Sequence, residues 1–244
     1  MGVLSPEARN TEPLAHPAAL LFQQEWQIYR KMVDNNFLFH REVYARLNQV
    51  LTDPSIGSYR FLDIACGDAG STVEALKGTR VAHYHGIDLS GAALAGARRN
   101  LAGFGCPSSF QEADYVEALR EWRAPVDVVW IGLSLHHLRR SAKLAAMRDV
   151  CRILDGHGLF LIYENASPDG EDREQWLARW DLQRPAWVAY SAQEWEFMAS
   201  HVHQNDFPET ASCWRQLGRE AGFRDVEEIF VAPSDLFRMY CFRA

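Results

Sequence analysis

Short apolar runs alternate with helical patterns along the middle of this 244-residue chain, between residues 59 and 165. Five runs have the length and the residue types of buried strands: RFLDIA, VAHYHGID, SSFQEA, VDVVWIGL and GLFLIYE. Each of the first four is followed by a stretch with helical spacing. Parallel strands need such crossovers between them. The alternation therefore predicts an α/β fold with a doubly wound, mostly parallel sheet.

Three other segments flank or extend this core, and we assign them all to one domain spanning residues 1–244. Residues 17–53 carry apolar side chains at helical spacing, interrupted by the sequence DNN, and predict a helical cap. Residues 166–211 are too long for a simple crossover and are rich in tryptophan, which predicts a helical lid inserted after the fifth strand. Residues 212–244 predict a final helix and two strands.

Charge and cysteine content exclude several classes of protein. The chain has 25 basic and 32 acidic residues, a formal net charge of −7, and no basic run longer than a pair, so nucleic acid is not expected as a partner. The first residues lack a basic start and their apolar run is too short to span a membrane. Five widely spaced cysteines without a C-x-x-C pair suggest neither a disulfide framework nor a zinc knuckle. We expect a cytoplasmic protein.

The sequence FLDIACGDAGS predicts a sharp turn between the first strand and its helix, at the sheet edge where ligands bind in such folds. Gly67 allows backbone angles closed to other residues and a close approach of a ligand. Ser71 and Glu74 have the spacing of a capping box for the helix that follows. Asp63 places a carboxylate at this turn, which suits a positively charged amino group better than a pyrophosphate.

Four segments in order, LDIACGDAG, HGIDLS, EADYVEAL and VDVVWIGLSLHHL, resemble the cofactor-binding segments of the class I S-adenosylmethionine-dependent methyltransferases. The resemblance covers residues 59–165, the predicted cofactor-binding core. It implies a seven-stranded sheet of order 3-2-1-4-5-7-6 and S-adenosyl-L-methionine as the cofactor. The family has glycines at alternate positions of the first segment, whereas this chain has Ala65, Gly67 and Ala69 and so keeps only the middle glycine.

The resemblance assigns the methionine end of the cofactor to the first turn and to the end of the fourth strand. Asp63 and Gly67 would contact the methionine part, and Ala65 would supply a backbone contact. Leu133 would lie near the sulfonium. The simpler interpretation of Asp63 is a turn residue that accepts backbone hydrogen bonds.

The resemblance assigns the adenosine end to the next two strands. Asp88 would accept both ribose hydroxyls, and Leu89 would pack on the adenine. Asp114 would accept the adenine amino group, with the backbones of Ala113 and Tyr115 beside it. Asp114 also has a purely structural interpretation, as the N-cap of the helix YVEAL.

Histidines and a glutamate near the same sheet edge are the candidate catalytic residues. His136 and His137 follow the fourth strand, Glu164 ends the fifth, and His40 lies on the predicted cap. A base is needed only for an acceptor that must lose a proton, such as a phenol or an amine. Packing roles for these side chains stay open.

The cap and the lid supply the candidate acceptor-binding residues, Tyr29, Trp180, Trp187 and His201. Aromatic walls suit a planar or apolar small molecule, although such rings also serve simply to pack an insertion onto the sheet. No metal is expected, because neither His136 with His137 nor His201 with His203 has a clear third ligand.

We therefore predict a methyltransferase that modifies an oxygen or nitrogen of a small, aromatic or apolar molecule. A nicotinamide-dependent oxidoreductase of the same fold class is the alternative, but its G-x-G-x-x-G motif is absent, since ACGDAG supplies only G-x-x-G. A protein that binds adenosylmethionine without catalysis also stays open. The oligomeric state stays open too, a homodimer included.

Overall fold

The computed structural model describes residues 28–154 and 156–244, so residues 17–27 of the predicted cap lie outside the described part. The strands are β1 (Tyr59–Ile64), β2 (Val81–Asp88), β3 (Ser108–Glu112), β4 (Val128–Gly132), β5 (Leu159–Ser167), β6 (Glu209–Thr210), β7 (Asp225–Val231) and β8 (Phe237–Arg243). The helices are α1, described over residues 28–34, α2 (His40–Leu51), α3 (Gly70–Leu76), α4 (Gly91–Asn100), α5 (Tyr115–Glu121), α6 (Arg140–Ile153), α7 (Arg173–Asp181), α8 (Ala192–Asn205) and α9 (Ala211–Ala221).

The sheet has the order β3-β2-β1-β4-β5-β8-β7, which confirms the predicted 3-2-1-4-5-7-6 once β7 and β8 are counted as the sixth and seventh strands. Strands β1 to β5 are parallel, and β8 runs antiparallel to both β5 and β7. The two-residue β6, which pairs with the end of β5, was not predicted. Two residues are too few to produce a periodic pattern.

Side chains from the two faces of the sheet enter two separate cores, as expected for parallel strands covered on both sides. On one face, Phe61, Trp130 and Tyr163 pack with side chains from α1 and α2 and from the predicted lid. On the other face, residues such as Leu62 and Val129 pack with α5, α6 and α9. The cap and the lid segment therefore cover the same face.

The predicted break at DNN is confirmed. α1 gives way to a turn after residue 34, and Asn36 takes a left-handed backbone conformation with φ 56°. The Asn36 side chain accepts a hydrogen bond from the Arg41 backbone N–H at 2.9 Å and donates to Glu42 at 2.8 Å. These bonds fix the start of α2 relative to the end of α1.

None of the helices in the two described ranges is both long enough and apolar enough to cross a membrane.

Candidate active site

The turn after β1 is built from residues in the left-handed conformation. Gly67 has φ 55°, as its residue type predicts, but Ala65 and Ala69 have nearly the same φ, 53° and 55°. An L-residue with a Cβ atom is strained at this angle, whereas glycine is not. The chain therefore holds two alanines in a backbone shape that favours glycine.

The predicted capping box is wrong. α3 begins at Gly70, so Ser71 is already inside the helix, and the N-cap Ala69 makes no side-chain cap. The Asp68 side chain caps one backbone group at the start of the helix, since its Oδ1 accepts a hydrogen bond from the Gly70 N–H at 3.0 Å. Glu74 instead pairs with Lys77 on the exposed side of the helix. The left-handed entry starts the helix earlier than the S-x-x-E pattern indicates.

The strain at Ala65 gives a prediction about stability. Ala65→Gly should raise the free energy of unfolding by up to about 1 kcal/mol, because relief of the left-handed strain exceeds the entropy that glycine adds to the unfolded chain. Chemical denaturation checks this. The control is Ala45→Gly on the exposed face of α2, which should lower stability by about 1 kcal/mol. Equal losses in both variants would show that the turn carries no strain.

Asp88 joins the ends of β1 and β2. Its Oδ2 accepts from the Gly67 N–H at 2.8 Å, and its Oδ1 accepts from the Ser90 N–H at 2.8 Å. Each carboxylate oxygen has a second lone pair, so both can still accept a hydrogen bond from a ligand. The carboxylate thus fixes the turn and offers two adjacent acceptors.

Asp63 is buried, with only 1% of its surface exposed, and makes no ion pair within the described part of the chain. The Tyr84 hydroxyl donates to its Oδ2 at 2.7 Å. Burial raises the pKa of Asp63 to about 7, although hydrogen bonds from Tyr84 and Thr72 oppose the shift, and the nearby charge of Asp88 adds to it. The carboxyl group therefore lacks a cation, which a ligand's ammonium group could supply.

A cavity of about 560 Å³, which we call the turn cavity, opens between this turn, the end of β4 and α1. Five of the nine residues predicted to bind the cofactor line it: Asp63, Ala65, Gly67, Asp88 and Leu133. Two further acidic side chains, Asp34 and Asp68, and the basic Arg30 also line it. The residues predicted to bind the methionine end of the cofactor therefore lie around one cavity.

The other four residues predicted to bind the cofactor do not line the turn cavity. Asp114 is the N-cap of α5 and accepts from the Val116 N–H at 2.7 Å, as in its structural interpretation. The Ala113 N–H donates to the Asp88 carbonyl at 3.1 Å. Leu89 is 70% exposed, and Tyr115 packs against the core beneath α5. Their roles toward adenine stay predictions.

A second cavity of about 160 Å³, which we call the aromatic cavity, adjoins the turn cavity, because Tyr29 and Leu133 line both. All four residues predicted to bind the acceptor line it: Tyr29, Trp180, Trp187 and His201. Met32, Leu38, Met198 and Phe237 complete an apolar wall. Residues from α1, from the lid segment and from β8 therefore enclose one small space beside the predicted cofactor site.

His136 and His137 also line the aromatic cavity, and Glu164 lies behind them. The Glu164 carboxylate is fully buried and accepts from the backbone N–H groups of Ser134, Leu135 and His136 at 2.8–3.1 Å. Its Oε2 lies 2.7 Å from Nδ1 of His136. Glu164 lines neither cavity and contacts His136 and the backbone before it, so its catalytic role stays a prediction.

Asp206 completes a group that we call the histidine cluster, consisting of His136, His137 and Asp206. Its Oδ1 lies 3.3 Å from Nδ1 of His137 and 3.7 Å from Nε2 of His136. The expectation that these histidines have no third ligand is therefore wrong. Asp206 directly follows α8 and is distant from His136 and His137 in the sequence. The sequence QND around it contains no local pattern that indicates a site residue.

The cluster is electrostatically coupled. Burial opposes the charge of Asp206, but the nearby His136, His137 and His201 outweigh it and lower the pKa of the carboxyl group. Burial likewise opposes a charged His137, but its interactions with Asp206 and Glu164 and its hydrogen bond to the Asn205 carbonyl raise its pKa. The Asp206 carboxylate and the His137 imidazole thus stabilise each other's charged forms.

His40 does not join the predicted catalytic residues. It lines neither the turn cavity nor the aromatic cavity, and its Nε2 lies 3.5 Å from the Tyr29 hydroxyl. Burial lowers the pKa of His40 to about 4. Its side chain contacts Tyr29, which lines both cavities, and the catalytic role of His40 stays a prediction.

A protein-family model matches the middle of the chain. It is described as a methyltransferase domain and covers residues 61–158, from within β1 to the residue before β5. No curated protein matches the sequence at a significant level.

Solved structures with the same fold were also found. A possible exported protein from Bordetella parapertussis aligns over 83% of this chain and 67% of its own, with a TM-score of 0.60 and 18% identity. PigF with SAH aligns over 81% of this chain and 54% of its own, with a TM-score of 0.55 and 16% identity. Mitomycin 7-O-methyltransferase MmcR aligns over 90% of this chain and 60% of its own, with a TM-score of 0.54 and 15% identity. At these identities the likeness shows the fold alone. The chain spans roughly half to two thirds of the length of these proteins.

Proposed function

We propose that this chain, whose core belongs to the class I S-adenosylmethionine-dependent methyltransferases, transfers a methyl group to an oxygen of a small, planar, largely apolar molecule. The observation that carries the proposal is the junction of the two cavities at Tyr29 and Leu133. An acceptor in the aromatic cavity would meet the reactive end of a cofactor in the turn cavity there. Orientation and exclusion of water supply much of the catalysis in such a reaction.

The cofactor is S-adenosylmethionine, which supplies an electrophilic methyl group on a sulfonium. Asp63 would hold its ammonium group, because the buried carboxyl has no ion-pair partner among the described residues. Asp88 would accept its ribose hydroxyls with oxygens that the backbone already orients. Among the described residues that line the turn cavity, a pyrophosphate would instead face several carboxylates and a single cation, Arg30, which disfavours the nicotinamide alternative.

The size and lining of the aromatic cavity support a single-ring acceptor. Its volume of about 160 Å³ is close to that of an apolar cavity of about 150 Å³ that accommodates benzene. Trp180 and Trp187 are buried and present ring surfaces that suit a planar molecule. A macromolecular acceptor would have to present a reactive group small enough to enter this space.

The histidine cluster supports an oxygen acceptor, with nitrogen as the alternative. A hydroxyl must lose its proton before or during methyl transfer, and imidazole groups are the usual side chains at such a step. The name of MmcR describes 7-O-methylation of mitomycin by that protein, which is consistent with an oxygen acceptor on this fold.

All five cysteines are unpaired, which suits the reducing cytoplasm that we propose as the location.

The test is label transfer from methyl-labelled S-adenosylmethionine to a panel of single-ring phenols, with anilines in parallel. We expect transfer to a phenol, and we expect His136→Gln to lower kcat by a factor of about 10²–10⁴ without changing the affinity for S-adenosylhomocysteine. The control is His203→Gln, because His203 lies on α8 but pairs with Asp181 on the surface. A wild-type rate in His136→Gln would remove His136 from the reaction. Cofactor binding without transfer to any acceptor would favour the non-catalytic alternative.

A further inference from the structure

We propose that the histidine cluster, His136, His137 and Asp206, binds a divalent transition-metal ion at the wall of the aromatic cavity. The role that we give the ion rests on the proposed function, whereas the binding itself does not.

The donor atoms are arranged closely enough for one ion. They all lie within 4.8 Å of one another. Oδ1 of Asp206 is 3.3 Å from Nδ1 of His137 and 3.7 Å from Nε2 of His136. Nitrogen and oxygen ligands at 2.0–2.2 Å from a tetrahedral zinc ion are separated by about 3.4 Å. Side-chain shifts of a fraction of an ångström to about one ångström therefore bring all three donors to bonding distance.

Two of the three ligands already have the outer contacts that metal ligands need. Nδ1 of His136 lies 2.7 Å from Oε2 of Glu164, and a proton on Nδ1 leaves the lone pair of Nε2 toward Asp206. This carboxylate–histidine pairing orients metal-binding imidazoles in many proteins. The Asn165 side chain donates to Oδ2 of Asp206 at 2.8 Å, which leaves Oδ1 for the ion.

Oδ1 of Asp206 is buried and accepts no hydrogen bond of good geometry. Nδ1 of His137 has only long contacts, 3.4 Å to the Asn205 carbonyl and 3.3 Å to this oxygen. At these distances, hydrogen bonds from a proton on Nδ1 of His137 to either oxygen are weak. A cation bound by Nδ1 and Oδ1 would replace that proton and satisfy both atoms.

Charge around the cluster also favours a cation. Glu164 and Asp206 are two buried carboxylates close to His136. Of the basic side chains nearby, Lys143 bonds to Glu209 and to the Phe207 carbonyl, and Arg173 bonds to the backbone carbonyl of Asp206. Neither occupies the space between the donors. Two imidazoles with one carboxylate suit zinc, iron, cobalt or manganese better than magnesium or calcium.

The remaining side of the cluster faces the aromatic cavity, where the ring of His201 lies 5.3 Å from that of His137. An acceptor's hydroxyl oxygen could take an open coordination position there. The ion would lower the pKa of that hydroxyl, whose proton then passes to water. The oxygen lone pair forms the new bond to the methyl carbon, and the electron pair of the broken C–S bond stays on sulfur.

The experiment uses the full chain, freed of metal by a chelator and then titrated separately with Zn²⁺, Co²⁺, Mn²⁺ and Mg²⁺. We expect one site per chain for Zn²⁺ and Co²⁺, with visible absorption bands for bound Co²⁺ and much weaker binding of Mg²⁺. Asp206→Asn and His137→Gln should each weaken Zn²⁺ binding about 100-fold or more. His203→Gln is the matched control and should bind like the wild type. Titration with S-adenosylhomocysteine shows that each variant is folded.

The outcomes separate this proposal from the proposed function. Millimolar or no binding of the transition metals, or Zn²⁺ binding that survives both cluster variants, overturns the metal site. If methyl transfer also persists after chelation, the proposed function stands and the cluster acts by its imidazoles alone. Site-specific metal binding by a chain that neither binds S-adenosylhomocysteine nor transfers methyl groups would support the metal site and overturn the proposed function.

Discussion

Replacing Asp88 with alanine should weaken the binding of S-adenosylhomocysteine by about 30- to 1000-fold, which corresponds to 2–4 kcal/mol. The variant would lack the two charge-assisted hydrogen bonds that the ribose hydroxyls donate to the carboxylate. It would also lack the hydrogen bonds that the N–H groups of Gly67 and Ser90 donate to Asp88 and that hold the turn in its binding shape. Calorimetric titration measures the change directly.

A matched control for Asp88 is available at the opposite, amino ends of the strands. Asp127 also accepts a backbone N–H, from Arg60 at 2.7 Å, and pairs with the Arg60 guanidinium, but it lies outside the turn cavity. Asp127→Ala should change stability and leave the affinity nearly unaltered. Asp88→Asn keeps one carbonyl oxygen and should fall between alanine and the wild type. An affinity unchanged in Asp88→Ala would show that the ribose is held elsewhere.

The features predicted correctly from the sequence are those that depend on local pattern. Buried strands have continuous apolar runs and their crossovers have helical spacing, so β1 to β5 could be located before the fold was known. Asp63 and Asp88 lie at the carboxyl ends of β1 and β2, and Gly67 lies in the turn just after β1. The carboxyl ends of neighbouring parallel strands meet at one edge of the sheet, and these three residues therefore line one cavity.

The features that were missed depend on contacts between distant segments or on backbone angles. Asp206 reaches His137 because the chain after α8 returns to the sheet, where β6 pairs with the end of β5. The Ser71–Glu74 pattern fits a capping box, but the left-handed Ala69 starts the helix earlier. His40 has the residue type of a catalytic base, yet its side chain contacts Tyr29 and lines neither cavity. Residue type and spacing do not determine any of these directions.

The pH dependence of cofactor binding should reveal the titration of Asp63. Burial raises its pKa from the ordinary 3.8 to about 7 in the unliganded protein. Between those values the folded chain keeps a proton that the unfolded chain has lost, so this group's contribution to stability falls as the pH rises from about 4 to 7. A ligand's ammonium group favours the charged carboxylate and so displaces that proton.

The affinity for S-adenosylhomocysteine should therefore rise with pH, by up to about tenfold per pH unit below pH 7, and level off above it. It should fall again at alkaline pH, once the ligand's own α-amino group loses its proton. Calorimetry at pH 6 in buffers of different ionisation enthalpy should detect the release of up to one proton per ligand bound. Asp63→Asn cannot ionise, so it should bind more weakly at pH 7.5 and lose the acidic limb of the profile. An affinity that stays constant from pH 5.5 to 7 in the wild type would mean that Asp63 does not hold the ammonium group, and that the buried carboxyl only accepts the bond from Tyr84.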